Sequence, residues 1–212
     1  MITLYAITDH PTPPVPTLGE MRVVPGGDLA AVCGPVAQGE VTADALWQHA
    51  RLVEALMDDR DVLPVRYGTC LPDDAAAVQT LRDKHDELAA SLEAVRGAVE
   101  LAVRVFPALG HAHVPTPAAA SMTGTEYLRA RARSAAEESY ASLIVHEPLG
   151  RMARATTLAR VPRPGELMRA AYLVERDSTE YFSSQVKEIQ EANPQLRITC
   201  TGPWPPYSFA TS

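Results

Sequence analysis

With 212 residues, the chain is long enough for one large domain or two small ones, each with its own hydrophobic core. Its composition, 46% hydrophobic and 21% charged, is ordinary for a soluble globular protein, and no run approaches the ~20 apolar residues that a membrane helix needs. Three separated cysteines, Cys33, Cys70 and Cys200, argue against a disulfide framework or a four-ligand zinc site.

The net charge of −7 is unevenly distributed along the chain. Residues 1–100 carry 16 acidic and 7 basic side chains, whereas residues 101–212 carry 10 acidic and 12 basic ones. The acidic first half disfavours nucleic-acid binding, which depends on neutralising phosphates. Arginines of the second half could form an anion site, although solvated faces of an alanine-rich helix are the simpler interpretation. These are the arginines at positions 129, 131, 133, 151 and 154.

The first part of the chain begins with two strand patterns. Short apolar runs at residues 4–7 and 29–36 predict two buried strands. Prolines and glycines between them predict a loop over residues 9–28. Because the strand pattern starts at the first residues, we expect no export leader and a cytoplasmic protein.

An amphipathic helix and a third strand follow. Apolar residues recur every three or four positions from Leu46 to Met57, after a candidate cap at Thr42, and predict the helix. Residues 62–69, with the sequence Val-Leu-Pro-Val-Arg-Tyr-Gly-Thr, predict the strand. Pro64 within it indicates an edge or a bulge.

A single long helix is predicted over residues 73–95. Its apolar seam has heptad spacing and consists of Val78, Leu81, His85, Leu88, Leu92 and Val95. Such a narrow seam favours packing against another helix or a sheet. We place a domain boundary after this helix, which gives a small α+β domain over residues 1–96 and a second domain over residues 97–212.

The second domain has the element order of a split βαβ fold. The predicted elements are a strand at 99–106, a loop at 107–123, a helix from 124 that kinks or restarts at Pro148, strands at 155–161 and 167–174, a helix at 177–193 and a strand at 196–201. This order predicts a ferredoxin-like domain. The first of its helices is expected to pack through Leu128, Ala132, Ala135 and Leu143. The long loop is expected to be functional or mobile.

The final stretch, residues 201–209, reads Thr-Gly-Pro-Trp-Pro-Pro-Tyr-Ser-Phe. Three prolines within four positions exclude a central strand and favour an edge strand or an extended tail. Trp204, Tyr207 and Phe209 are unusual in a disordered tail, which is normally poor in aromatic residues. We therefore expect residues 203–212 to dock between the two domains; an exposed aromatic hook for a partner is the alternative.

Candidate catalytic groups are few. No glycine-rich phosphate loop precedes a helix. Cys70 with His49 or His85 is the one pair considered for a Cys–His nucleophile, and a core role for Cys70 is the simpler interpretation. His111 and His113 could bind a metal, but no neighbouring cysteine or acidic residue supports a site, and a plain loop is favoured. We expect no metal and no cofactor.

Three ordered motifs resemble the GvpF/GvpL family of gas vesicle accessory proteins. They are His49 with Val53 in the early helix, residues 62–69, and the proline-rich ending. The resemblance runs from Leu4-Tyr5 to Phe209, nearly the whole chain. The motif residues are His49, Pro64, Arg66, Gly68, Gly202, Pro203, Trp204, Pro205, Pro206, Tyr207 and Phe209.

The resemblance implies a two-domain, non-enzymatic protein, either a minor gas vesicle component or an assembly factor. Its implied partners are the hydrophobic shell protein GvpA, whose aggregation it would limit in a chaperone-like way, and other gas vesicle accessory proteins. For His49 we favour a hydrogen bond to a backbone carbonyl over a ligand role, and for Arg66 a bond to carbonyls or to a carboxylate between the domains.

A ferredoxin-like small-molecule-binding or oxygenase-type enzyme is the alternative function, with residues 107–123 as lid and His49 or Cys70 in the pocket. A closed pocket with several convergent polar groups would favour that enzyme. An open apolar groove or a strand edge would favour the assembly role.

Overall fold

The computed structural model describes residues 1–11, 21–36, 42–108, 123–159, 163 and 165–210. These residues form two β-sheets with several helices, so the expected α+β class is confirmed. The chain divides into two compact units: Met1–Val99 with Trp204–Ser212, and Glu100–Pro203. The domain limits predicted from the sequence stay predictions.

The sheet of the first unit has the strand order β2-β3-β1-β4, and β5 also pairs with β1. Its strands are β1 (Ile2–Asp9), β2 (Arg22–Pro25), β3 (Leu29–Pro35), β4 (Leu63–Pro64) and β5 (Cys70–Leu71). β1 pairs antiparallel with β3 from Ile2 to Asp9, with a register shift at Tyr5, and both are almost entirely buried, as their apolar runs predict. The loop predicted for residues 9–28 is partly wrong, because β2 lies there; four residues are too few to show a period.

Of the two helices predicted for the first unit, one is confirmed and one is wrong. Helix α1 (Ala43–Met57) begins at the predicted cap, since the Thr42 hydroxyl accepts a hydrogen bond from the N–H of Ala45 at 3.2 Å. The single long helix is wrong: α2 (Asp74–Asp83) and α3 (His85–Val95) are separated at Lys84, whose φ of −111° and ψ of 18° are not helical. Leu81 and Leu88 are buried on either side, so the apolar seam continues and conceals the break.

The continuous strand predicted for residues 62–69 is also wrong. Only β4 pairs with β1, at the end of the sheet order, before the chain turns and meets β1 again at β5. Pro64 has no N–H for a continued ladder. Gly68 occupies the turn with φ +86°, a conformation that glycine adopts readily and other residues do not.

The four strands predicted for the second part of the chain form the other sheet, in the order β7-β8-β6-β9. They are β6 (Ala98–Pro107), β7 (Ala155–Leu158), β8 (Met168–Glu175) and β9 (Leu196–Trp204). β7 and β8 pair antiparallel. β9 lies at the edge of the sheet, as its prolines predict.

The helices of this unit are α4 (Gly124–Ala141), α5 (Glu147–Gly150) and α6 (Thr179–Ala192). A π-helical turn, Ser142–His146, joins α4 to α5 and ends two residues before Pro148. A proline removes a helical hydrogen bond. The core lies where the sheet packs against Val145, Leu149 and Phe182. The predicted inward face of α4 is wrong, because Leu128, Ala132, Ala135 and Leu143 are exposed.

Some sequence predictions fall outside the described residues. The segment 109–122, which includes His111, His113 and most of the predicted loop, is one of these. Within the part of the chain that is described, no helix is long and apolar enough to cross a membrane.

Candidate functional site

Residues 63–70 of the first unit bring several of the motif residues together. The Val65 N–H donates to the Tyr5 carbonyl at 2.9 Å, and the Leu4 N–H donates to the Thr69 carbonyl at 2.9 Å. The His49 side chain reaches the same segment from α1, with Nε2 2.9 Å from the Val65 carbonyl oxygen. Strand β1, helix α1 and the turning segment are therefore held together by hydrogen bonds.

The His49 ring is enclosed by two tyrosines. It stacks on Tyr5 with ring centroids 4.9 Å apart, and meets Tyr67 edge-on at 5.5 Å. Only 4% of His49 is exposed. Burial lowers the pKa of His49, although the hydrogen bond to Val65 opposes this shift, so the imidazole is neutral near pH 7.

A neutral His49 must donate through Nε2, because a carbonyl oxygen can only accept. Nδ1 is then an acceptor, and it has no hydrogen-bond partner among the described residues. A cleft of about 200 Å³ lies beside this ring. Its lining includes Thr3, Gln48, Leu52, Tyr67, Gly68 and Cys70.

The same segment lines a second cleft of about 300 Å³, which we call the apolar cleft. Its buried walls are Leu4, Ile7, Leu63, Pro64 and Leu88, and Arg66, Lys84 and Glu87 are its exposed charged members. The Thr69 and Thr80 hydroxyls, which also line it, donate to the carbonyls of Arg66 and Ala76 at 2.9 and 2.8 Å. With these hydroxyls engaged, the interior can offer an occupant mainly apolar contact.

The C-terminal tail packs within the first unit. Pro205 and Pro206 are buried, whereas Trp204 is 37% and Tyr207 38% exposed. Burial, reinforced by the Glu54 carboxylate of α1, raises the pKa of Tyr207 to about 12. The Ala210 N–H donates to the Pro206 carbonyl at 3.0 Å, and Ala210 lines the apolar cleft.

The motif residues are thus distributed unequally. His49 and Gly68 line the smaller cleft, and Pro64 and Arg66 line the apolar cleft together with the end of the tail. Gly202 and Pro203 belong to the exposed end of β9 instead. The sequence did not indicate that Ile7, Lys84 and Leu88 line a cleft, because each has the pattern of an ordinary strand or helix residue.

The catalytic and metal hypotheses gain no support from this geometry. Within the described ranges no group of three or more His, Cys, Asp or Glu residues could hold a metal ion. His49 is bonded to Val65, and His85 lies 2.7 Å from Asp28 and 3.0 Å from Asp86. Neither histidine that could activate Cys70 is hydrogen-bonded to it in the described part of the chain.

Comparison with known proteins decides the family. The model of the family described as "Gas vesicle synthesis protein GvpL/GvpF" matches residues 2–211. The chain belongs to the GvpL/GvpF family. The resemblance inferred from the three motifs is therefore confirmed, and GvpL/GvpF membership gives the chain an accessory role in gas vesicles.

Two relatives from Streptomyces sp. (strain CB03234) illustrate the similarity. The chain is 33% identical to Gas vesicle protein L over 222 residues, covering 89% of this chain and 82% of that protein. It is 28% identical to Gas vesicle protein F over 217 residues, covering 93% and 89%. These GvpL/GvpF proteins are named for gas vesicles and not for an enzymatic activity.

Two crystal structures share the fold. GvpF from Anabaena sp. PCC7120 superposes with a TM-score of 0.81 at 18% identity, covering 100% of this chain and 96% of that one. GvpF from Microcystis aeruginosa gives a TM-score of 0.79 at 17% identity, covering 100% and 99%. The mixed α+β architecture is therefore that of solved GvpF structures.

Proposed function

We propose that this chain binds the shell protein GvpA and limits its aggregation during vesicle nucleation, with the apolar cleft as an anchor for one hydrophobic segment of the unassembled subunit. The supporting observation is the cleft itself. It is built from the motif segment, including Pro64 and Arg66, and the tail residue Ala210 lines it as well.

The size and lining of the apolar cleft suit an anchoring role. A volume of about 300 Å³ lies at the lower end for small-ligand pockets, so the cleft holds a few side chains of a partner and not a whole helix. Burying one leucine-sized side chain contributes ~1.5–3 kcal/mol. Several such contacts along a larger surface would be needed for stable binding.

The charged members of the cleft would orient the occupant. Arg66 and Lys84 are exposed, with Glu87 as the single carboxylate of the lining. This excess of positive charge favours an apolar segment that carries an acidic residue beside its anchoring side chain, because charges at an interface mainly set orientation and partner choice.

We propose no enzymatic activity. The enzyme hypothesis placed His49 or Cys70 in a pocket, with residues 107–123 as its lid. Both residues line the smaller cleft of the first unit. The Nε2 atom of His49 is engaged by a backbone carbonyl, and most of the suggested lid lies outside the described residues.

Four further expectations stay proposals. The strand–helix–strand–strand–helix–strand order and the sheet order β7-β8-β6-β9 support a ferredoxin-like second domain. Buried Pro205 and Pro206 support a docked tail, and its predicted position between the domains stays a prediction. We propose the cytoplasm and the gas vesicle as the location, and other gas vesicle accessory proteins as additional partners.

The experiment is an aggregation assay with purified GvpA. Near-stoichiometric amounts of this protein should slow the increase in light scattering and form a complex that can be isolated, without nucleotide or metal. Equal aggregation with and without the protein, together with no complex, would contradict the proposed function.

A further inference from the structure

Most of helix α4 has no packing partner among the residues that the structure describes. Every described side chain from Gly124 to Tyr140 is exposed or half-exposed, and Ala141 is the first buried residue. The Tyr140 hydroxyl donates to Asn193 Oδ1 at 3.0 Å, which marks where the helix joins the rest of its unit. At 1.5 Å per residue, the unpacked part is roughly 25 Å long.

The exposed helix carries an apolar stripe. Leu128, Ala132, Ala135 and Ser139 follow one another at intervals of four, three and four residues and lie on one face of α4. Leu143 follows four residues later, in the π-helical turn. Leu128 is 65% and Leu143 56% exposed. The small residues between the two leucines would allow another helix to approach closely.

The local sequence favours helix formation despite the missing packing. Thr123 and Glu126 form a complete capping box, in which each side chain bonds the other residue's backbone N–H. In proteins most of the stability of a helix comes from tertiary packing of its apolar face and not from local propensity. A chain that specifies this helix and leaves two leucines in solvent is expected to pair it with another molecule.

The charges beside the stripe change sign along the helix. Arg129, Arg131 and Arg133 follow the capping residue Glu126 in its first half, and Glu137 and Glu138 lie in its second half. A parallel pair of such helices would place like charges together. An antiparallel pair places the basic half of each copy beside the acidic half of the other, and it also opposes the two helix dipoles.

We propose that α4 is a self-association helix, through which two copies of this protein pair antiparallel along the stripe. In the register that places Ala132 opposite the partner's Ala135, Leu128 lies opposite the partner's Ser139. Arg131 and Glu138, seven residues apart on one flank, then form two symmetric ion pairs between the copies. The proposal goes beyond GvpA binding and does not depend on it.

The pairing is expected to be weak. A single helix pair of this length gives an interface at the low end of specific protein contacts, below about 1,200 Å². The dimer should therefore form with rising protein concentration in the micromolar range or above.

Sedimentation velocity of the full chain tests the proposal. The molar mass should rise from 22.9 kDa toward twice that value as concentration increases from low micromolar to near-millimolar. Arg131→Glu and Glu138→Arg should each abolish dimerisation, because each places like charges opposite one another. The double variant Arg131→Glu/Glu138→Arg should restore it.

The control is Arg51→Glu, a charge reversal at an exposed position of α1, which should dimerise like the unaltered chain. Circular dichroism would verify that every variant keeps its helix content. A monomer at all concentrations would overturn the proposal, and so would a double variant that stays monomeric while the control dimerises. A monomer at all concentrations is also the result expected if α4 pairs with a different protein.

Discussion

The His49 imidazole donates a hydrogen bond from Nε2 to the Val65 carbonyl oxygen over 2.9 Å. This bond joins two motifs that lie 16 residues apart, the early helix and the segment between the two clefts. It also fixes the tautomer, since the ring stays neutral when buried between Tyr5 and Tyr67. The role of His49 is thereby to position the lining of both clefts.

Replacing His49 by alanine should destabilise the protein by about 1–3 kcal/mol, because the half-buried Val65 carbonyl loses its partner. The difference in unfolding free energy between His49→Ala and the unaltered protein should shrink as pH falls. Burial depresses the folded-state pKa below the ordinary 6.5, so the unfolded chain binds the proton more readily and the unaltered protein loses stability below pH 6.5. Urea unfolding across this range measures both effects. Arg51→Ala on the same helix is the control, and equal stability of the two variants would contradict this role.

His85 should show the opposite dependence. Hydrogen bonds to Asp86 and Asp28 raise its pKa above 6.5. The folded state therefore holds the proton more tightly, and the resulting stabilisation is complete below pH 6.5 and is lost as pH rises through the folded value. His85→Asn should be less stable than the unaltered protein in mild acid and equally stable at alkaline pH. A difference that persists unchanged at alkaline pH would contradict this assignment.

Gly68→Ala should destabilise the chain by about 1–2 kcal/mol, the penalty for a side chain in the left-handed region. Its φ is +86°, and a Cβ there would meet no atom of a described residue within 4 Å, so backbone strain alone is tested. Gly124→Ala is the matched control, because that site is equally open but lies at the start of α4 without a positive φ. Equal melting temperatures for the two variants would show that the turn tolerates a side chain.

Trp204→Ala should lower stability by about 2 kcal/mol, less than the ~3–5 kcal/mol of a core aromatic, because Trp204 is 37% exposed. Thermal melting and GvpA binding, measured on the same samples, separate the docked tail from the aromatic hook. Reduced melting temperature is the expected result. Unchanged melting with lost GvpA binding would favour the hook.

The features predicted well from the sequence are those set by local chemistry. The Thr42 cap and the buried face of α1 depend on side chains a few residues apart, and the prolines near Trp204 suffice to place β9 at an edge. The failures involve tertiary partners. The stripe from Leu128 to Leu143 shows that α4 has one apolar face, but periodicity cannot show whether the same chain covers it.

The two clefts could not be predicted for a related reason. Leu4, Leu63 and Leu88 each have an ordinary core pattern, and only the folded chain shows that they line one concave surface. The motifs did indicate that residues 62–69 are special. Their predicted continuous strand was wrong because Pro64 and the turn at Gly68 interrupt it, and that interruption helps to form both clefts.

Filling the apolar cleft tests the central claim most directly. Thr80 lines the cleft from α2, whereas its neighbour Gln79 is exposed and outside it, so Thr80→Trp and Gln79→Trp place the same large side chain inside and outside the cleft. If the two variants have equal melting temperatures, Gln79→Trp should slow GvpA aggregation as the unaltered protein does. Thr80→Trp should lose most of this protection against aggregation. Full protection by Thr80→Trp would contradict the cleft as the GvpA-binding surface.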